Sequence, residues 1–114
     1  MIVRDYKDVQ QDEVDAEGAA GVKIRWIIRQ DDGAPLFAMR EFELAPGGHT
    51  PFHAHEWEHE VFILEGEGVV VSAAGEHELR PGTAVLVPPG EEHNFRNAGS
   101  GPLRFLCLVP HGAK

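Results

Sequence analysis

From Gly21 onward the chain is cut into short pieces by turn-forming residues, and no other feature restricts its fold as much. The cuts are Asp32-Gly33, Pro46-Gly47-Gly48, Gly66-Glu67-Gly68, Ala74-Gly75, Pro81-Gly82, Pro88-Pro89-Gly90 and Gly99-Ser100-Gly101-Pro102. Glycine reaches left-handed backbone conformations without steric cost, and proline fixes φ and removes a donor, so each cut ends whatever precedes it. Between cuts the residues alternate with period two, as Val22, Ile24, Trp26 and Ile28 do against Lys23, Arg25 and Ile27. Strands are expected over 36–44, 52–55, 60–64, 69–73, 77–80, 84–87, 93–96 and 103–109, and no segment carries a sustained helical stripe. Short strands at this spacing predict an all-β antiparallel sandwich or barrel.

A chain of 114 residues holds one core of ordinary size. Residues 1–20 contain Asp5, Asp8, Asp12, Glu13, Asp15 and Glu17 with few periodic aliphatics. They read as an acidic N-terminal lead-in, most simply a solvated arm, packing on the barrel or a dimer partner, with the barrel domain over 21–114. A net charge of -9 without clustered Lys and Arg argues against nucleic acid and anionic membranes as partners. No run approaches the roughly 20 apolar residues of a membrane span, and the N-terminus lacks a signal-peptide apolar region, so a cytoplasmic location is the expectation. Cys107 is the only cysteine; it allows no internal disulfide and suits a reducing compartment.

Four of the seven histidines carry the chemical signal. His53 and His55 stand two apart, which puts both on one face of a strand, and His59 follows closely while His93 comes from far along the chain. Neutral imidazoles converging in this way bind Mn, Fe, Ni, Cu or Zn through nitrogen and can leave positions open.

Gly47, His53, His55 and Gly66 match the first motif of the cupin superfamily, G-x5-H-x-H-x3,4-E-x6-G, and Gly82, Pro88, Gly90, His93 and Asn97 match the second, G-x5-P-x-G-x2-H-x3-N, at every position. The chain thus resembles a small single-domain cupin of the cupin 2 type, for which the resemblance implies a double-stranded β-helix, or jelly-roll barrel. Only residues 67–81 separate the motifs, as in the shortest such barrels. His59 occupies the slot where many cupins carry a glutamate, although Glu60 satisfies the longer variant of the spacing. The run from His53 to Phe62 is similar to that of small cupins with a four-histidine, often manganese, centre, which implies His53, His55, His59 and His93 as ligands of one divalent transition metal, Mn before Fe, Ni, Cu or Zn. A strand beginning near His59 sends His59, Val61 and Ile63 to one face and Glu60, Phe62 and Leu64 to the other, and alternation alone does not say which face is inside. Gly47, Gly66, Gly82, Gly90 and Pro88 have a sufficient role as scaffold.

Around the metal, Arg40 shares parity with Phe42 and Leu44, so it enters the barrel if they do, either as a clamp for a substrate carboxylate or as the partner of an internal acid. Phe95 shares parity with His93, and Phe105 and Cys107 share the face that the resemblance turns inward; Phe52 and Trp57 flank the histidines and complete the expected substrate pocket. Arg40 and Cys107 are the catalytic candidates, although a free cysteine is more often a small buried hydrophobe. His49, His77 and His111 lie outside the motif slots and are read as structural. Leu106 and Leu108, on the face opposite Phe105 and Cys107, exceed what a one-sided barrel needs and point to a homodimer, as in similar cupins.

Three functions fit. One is a Mn- or Fe-dependent, dioxygenase-like oxidoreductase acting on a small organic substrate inside the barrel. Another is a non-redox decarboxylase, isomerase or lyase in which the ion polarises a carbonyl, and Arg40 suits an acidic substrate there. The third is a non-catalytic small-molecule binding module. Besides the ligand histidines, Glu60 alone stands out as a general base.

Overall fold

The computed structural model describes residues 1–112, so the last two residues of the expected barrel domain, 113 and 114, lie outside the described residues. Nine strands follow in chain order: β1 Asp12–Glu13, β2 Ala20–Ile28, β3 Phe37–His49, β4 His59–Glu65, β5 Gly68–Ser72, β6 Gly75–Leu79, β7 Ala84–Val87, β8 His93–Asn97 and β9 Leu103–Pro110. Two single 3-10 turns, Tyr6–Asp8 and Gln30–Asp32, are the only helical elements among the described residues, and no helix is long and apolar enough to cross a membrane. All pairings are antiparallel, in the order β6-β5-β8-β3-β9-β4-β7, with β2 flanking β3 and β1 flanking β2. The sheet curls on itself, and one face of each strand fills its concave side.

Alternation decides that filling. Along β9, Leu103, Phe105, Cys107 and Val109 are buried while Arg104, Leu106, Leu108 and Pro110 are only partly covered. Strand β4 resolves the parity left open by the sequence: His59, Val61 and Ile63 are inside, whereas Glu60, Phe62 and Leu64 are outside. Phe105 sits at the centre, with ring centroids 5.4 Å from Phe42 and 5.0 Å from Phe95. Strand β2 departs from simple alternation because its register against β3 shifts between Trp26 and Ile28, which turns Ile27 into the core and leaves Ile28 half-buried.

The expected strand over 52–55 does not form. That segment makes one isolated bridge, in which His53 N–H donates to the His93 carbonyl at 3.1 Å and His93 N–H returns the bond at 3.0 Å. Pro51 lacks an N–H and helps to keep the pairing from extending. Asn97 ties the end of β8 into the barrel: its Nδ2 donates to the carbonyls of Leu44 and Gly101, and its Oδ1 accepts from the Gly99 N–H.

The lead-in is mostly exposed, with no buried residue, and is tied to the barrel at several points. Tyr6 lies across the guanidinium groups of Arg25 and Arg104, and Arg4 donates to the carbonyl of Ile27. Beneath that cover Glu41, 1% exposed on the outer face of β3, pairs with both Arg25 and Arg104. Two arginines compensate a carboxylate that burial alone would disfavour.

Candidate metal centre

One end of the barrel gathers four imidazoles from three places: the bridged segment, the start of β4 and the start of β8. His53, His55 and His93 each offer a ligand atom within 4.8 Å of the others. His59 stands beside this triad, its ring centroid 4.7 Å from that of His55 and 5.6 Å from that of His93.

Backbone contacts set these rings. Thr50 N–H donates to the Phe95 carbonyl, and Thr50 Oγ1 accepts from Phe95 N–H at 2.9 Å, which fixes the approach of the histidine segment to β8. Gly90 N–H donates to the His55 carbonyl at 2.6 Å. The His55 ring stacks on Trp57, with centroids 4.7 Å apart and planes 12° from parallel. His93 Nδ1 lies 2.9 Å from the Glu91 carbonyl, which can only accept. Nδ1 therefore carries the proton, and Nε2 keeps a lone pair for the cluster.

These residues fit a divalent transition metal. His59 is 7% exposed and its Nε2 is buried with no hydrogen-bond partner, a cost that a bound cation would remove. His53, His55 and His59 are also held toward the neutral form a metal needs. Burial, followed by the neighbouring imidazoles and Arg40, holds His55 down at about 4; burial, followed by Arg40 and the other three histidines, holds His59 at about 3. His53 is lowered by burial and by His93.

The histidines open into a cavity of about 210 Å³ with an apolar wall that includes Val22, Phe42, Trp57, Phe95 and Phe105. Among the described residues, Arg40 is its one permanently charged lining residue, and no carboxylate lines it. The acidic partner that a buried arginine calls for is absent among the described residues. Instead Arg40 Nη2 donates to Cys107 Sγ at 3.0 Å, and the guanidinium sits 5.3 Å from the Trp26 ring centroid and 5.0 Å from that of Phe42. Cys107 Sγ also lies 3.3 Å from His59 Nδ1. Burial raises the Cys107 thiol above its ordinary value, against the opposing pull of Arg40.

Of the expected pocket residues, Arg40, Trp57, Phe95, Phe105 and Cys107 line the cavity, and Phe52 does not. Phe52 is 49% exposed, because in an extended segment it faces away from its neighbour His53. Glu60 is also removed from the site: it points outward from β4, so it is neither ligand nor base there. His49 and His77 stand apart from the cluster, and His111 Nε2 contacts the Ala34 carbonyl at 2.6 Å. The sequence reading missed Thr50, Val14 and Ala16, which also line the cavity. Val14, an apolar residue amid acids, was the available signal in the lead-in.

A family model described as the cupin domain matches residues 40–109. The crystal structure of the polyketide cyclase RemF from Streptomyces resistomycificus superimposes with a TM-score of 0.93 and 37% identity, over 99% of this chain and 81% of that one. An L-ectoine synthase from Bordetella petrii is 33% identical over 112 residues, 95% of this chain and 80% of the synthase. The 1-methylthio-D-xylulose 5-phosphate methylsulfurylase of Rhodospirillum rubrum is 35% identical over 71 residues, and the match spans less than half of that protein, 46% of its length.

Proposed function

The chain belongs to the cupin domain family, and from that premise we propose that it is a metal-dependent, non-redox enzyme that closes a ring in a small carbonyl compound. His53, His55, His59 and His93 would hold the ion, which when bound supplies Lewis acidity toward a substrate carbonyl oxygen. The observation that carries this reading is the convergence of imidazoles at the cavity, with no carboxylate lining it among the described residues. Four uncharged donors leave the ion's positive charge undiminished, which favours polarising an oxygen over stabilising a higher oxidation state. Ring closure rather than another lyase or isomerase reaction is supported by the likeness, over 99% of this chain and 81% of that one, to a polyketide cyclase.

The chain's own residues then have defined tasks. Phe42, Phe95, Phe105 and Trp57 exclude water and favour a flat substrate. Arg40 supplies positive charge for an anionic oxygen, a carboxylate or an enolate. The protein works as a homodimer joined through its outer apolar face, and its lone buried thiol suits the cytoplasm.

The rival is the Mn- or Fe-dependent, dioxygenase-like oxidoreductase, which a nitrogen-rich site with an apolar wall also accommodates. Against it, Cys107 lines the same cavity and would stand exposed to an activated oxidant.

The deciding experiment combines metal analysis with an oxygen test. Wild type and Glu60→Ala should retain one ion per chain, and His59→Ala should lose it. Poly-β-keto acid analogues should be consumed equally with and without dioxygen. Oxygen uptake coupled to substrate loss would make the protein an oxidoreductase; binding of the analogues without turnover would make it a binding module.

A further inference from the structure

Behind the four imidazoles lies a contact that the reaction above does not use. His59 ligates through Nε2 only if Nδ1 carries the ring proton, and a buried N–H requires an acceptor. Two atoms approach Nδ1: Arg40 Nη2 at 3.4 Å and Cys107 Sγ at 3.3 Å. A guanidinium has no lone pair to offer, so sulfur is the only acceptor of the two.

Two arrangements of the proton are available. In one, Cys107 S–H donates to Nδ1, and His59 Nε2 carries the proton, buried with no acceptor. In the other, Nδ1–H donates to sulfur, and Nε2 keeps its lone pair free for a cation. Arg40 holds the sulfur in place in either arrangement, its Nη2 lying closer to Sγ, at 3.0 Å, than to Nδ1, at 3.4 Å.

We propose that Cys107 is a positioning residue for the metal centre: its sulfur, held by Arg40, accepts the Nδ1 proton of His59 and turns the Nε2 lone pair toward His53, His55 and His93. The inference rests on the four-histidine reading given above. Two observations reinforce each other. The sulfur sits behind Nδ1, and the Nε2 on the opposite side of a ring only 7% exposed has no partner. His93 has the same arrangement, with the Glu91 carbonyl in place of the sulfur. Groups that orient a metal-bound histidine in this way typically change metal affinity by about 10–100-fold when removed.

The test uses the full chain stripped of metal and titrated with Co²⁺ against a competing chelator, comparing wild type with Cys107→Ala, Cys107→Ser and His59→Ala. Cys107→Ala should bind Co²⁺ about 10–100-fold more weakly. Cys107→Ser, whose hydroxyl can still accept, should stay within about threefold of wild type. Equal affinity in Cys107→Ala overturns the inference, as does a serine variant as weak as the alanine one, because packing alone would then account for the loss. If His59→Ala binds Co²⁺ as wild type does, the four-histidine reading itself fails. A measurement on the wild-type protein needs no variant to fold: with Zn²⁺ bound, ¹⁵N NMR should show the His59 proton on Nδ1, and a proton on Nε2 overturns the proposal.

Discussion

At the scale of single residues, the histidines tie metal binding to pH. His55 is held at about 4 and His59 at about 3, against an ordinary value of 6.5. Below 6.5 the unfolded chain therefore takes up protons on these residues while the folded chain does not. Their contribution to stability is fully present above pH 6.5 and drains as the pH falls toward 4 and then 3. The metal-free protein should show a denaturation midpoint that drops across this window, and His59→Gln should flatten the drop. Midpoints recorded across that pH range check it, and an unaltered slope in the variant would refute the assignment. Phe105 gives a second residue-scale expectation. It is 2% exposed and stacked between Phe42 and Phe95, so Phe105→Ala should cost about 3–5 kcal/mol in urea unfolding.

At the scale of elements, turns and registers place the site. The turn between β4 and β5 hinges on Gly66, whose φ of +91° suits glycine and whose added Cβ would run into the carbonyl oxygen of Pro102. Gly66→Ala should therefore lose about 2 kcal/mol or more. Gly101→Ala, where an added Cβ meets nothing, should stay within about 0.5 kcal/mol of wild type. Equal losses in the two variants would show that backbone entropy, not this close approach, sets the requirement. The same turn fixes how β4 follows β9, and so which of its faces carries His59 inward. The bridge between His53 and His93 sets the distance across the cluster, and the bonds of Thr50 to Phe95 and of Gly90 to His55 anchor the histidine segment on either side of it.

For the molecule as a whole, the outer face of β4, β7 and β9 is unusually apolar. Leu86 is 62% exposed and Phe62 46%, beside Leu106, Leu108 and Met39. A surface of this kind favours association of two copies about a two-fold axis. Light scattering should return about twice the 12.5 kDa chain mass, and Leu86→Glu with Phe62→Asp should halve it. A monomer at every concentration would refute the homodimer.

The sequence by itself determined an all-β sandwich or barrel, because turn residues at close intervals permit only short strands; the resemblance of its motifs to cupins implied the barrel. It also assembled the four histidines, through motif spacing that survives any detail of packing. Tertiary structure decided what alternation cannot express. Glu60 and His59 are neighbours between which alternation cannot choose, and only the pairing of β4 with β7 and β9 turns one inward and the other out. Phe52 and His53 divide in the same way, at a single bridge that no periodicity announces. The contact among Arg40, His59 and Cys107 joins three strands across separations of 19, 48 and 67 residues. Local pattern carries no information over such distances; the register of the paired strands does.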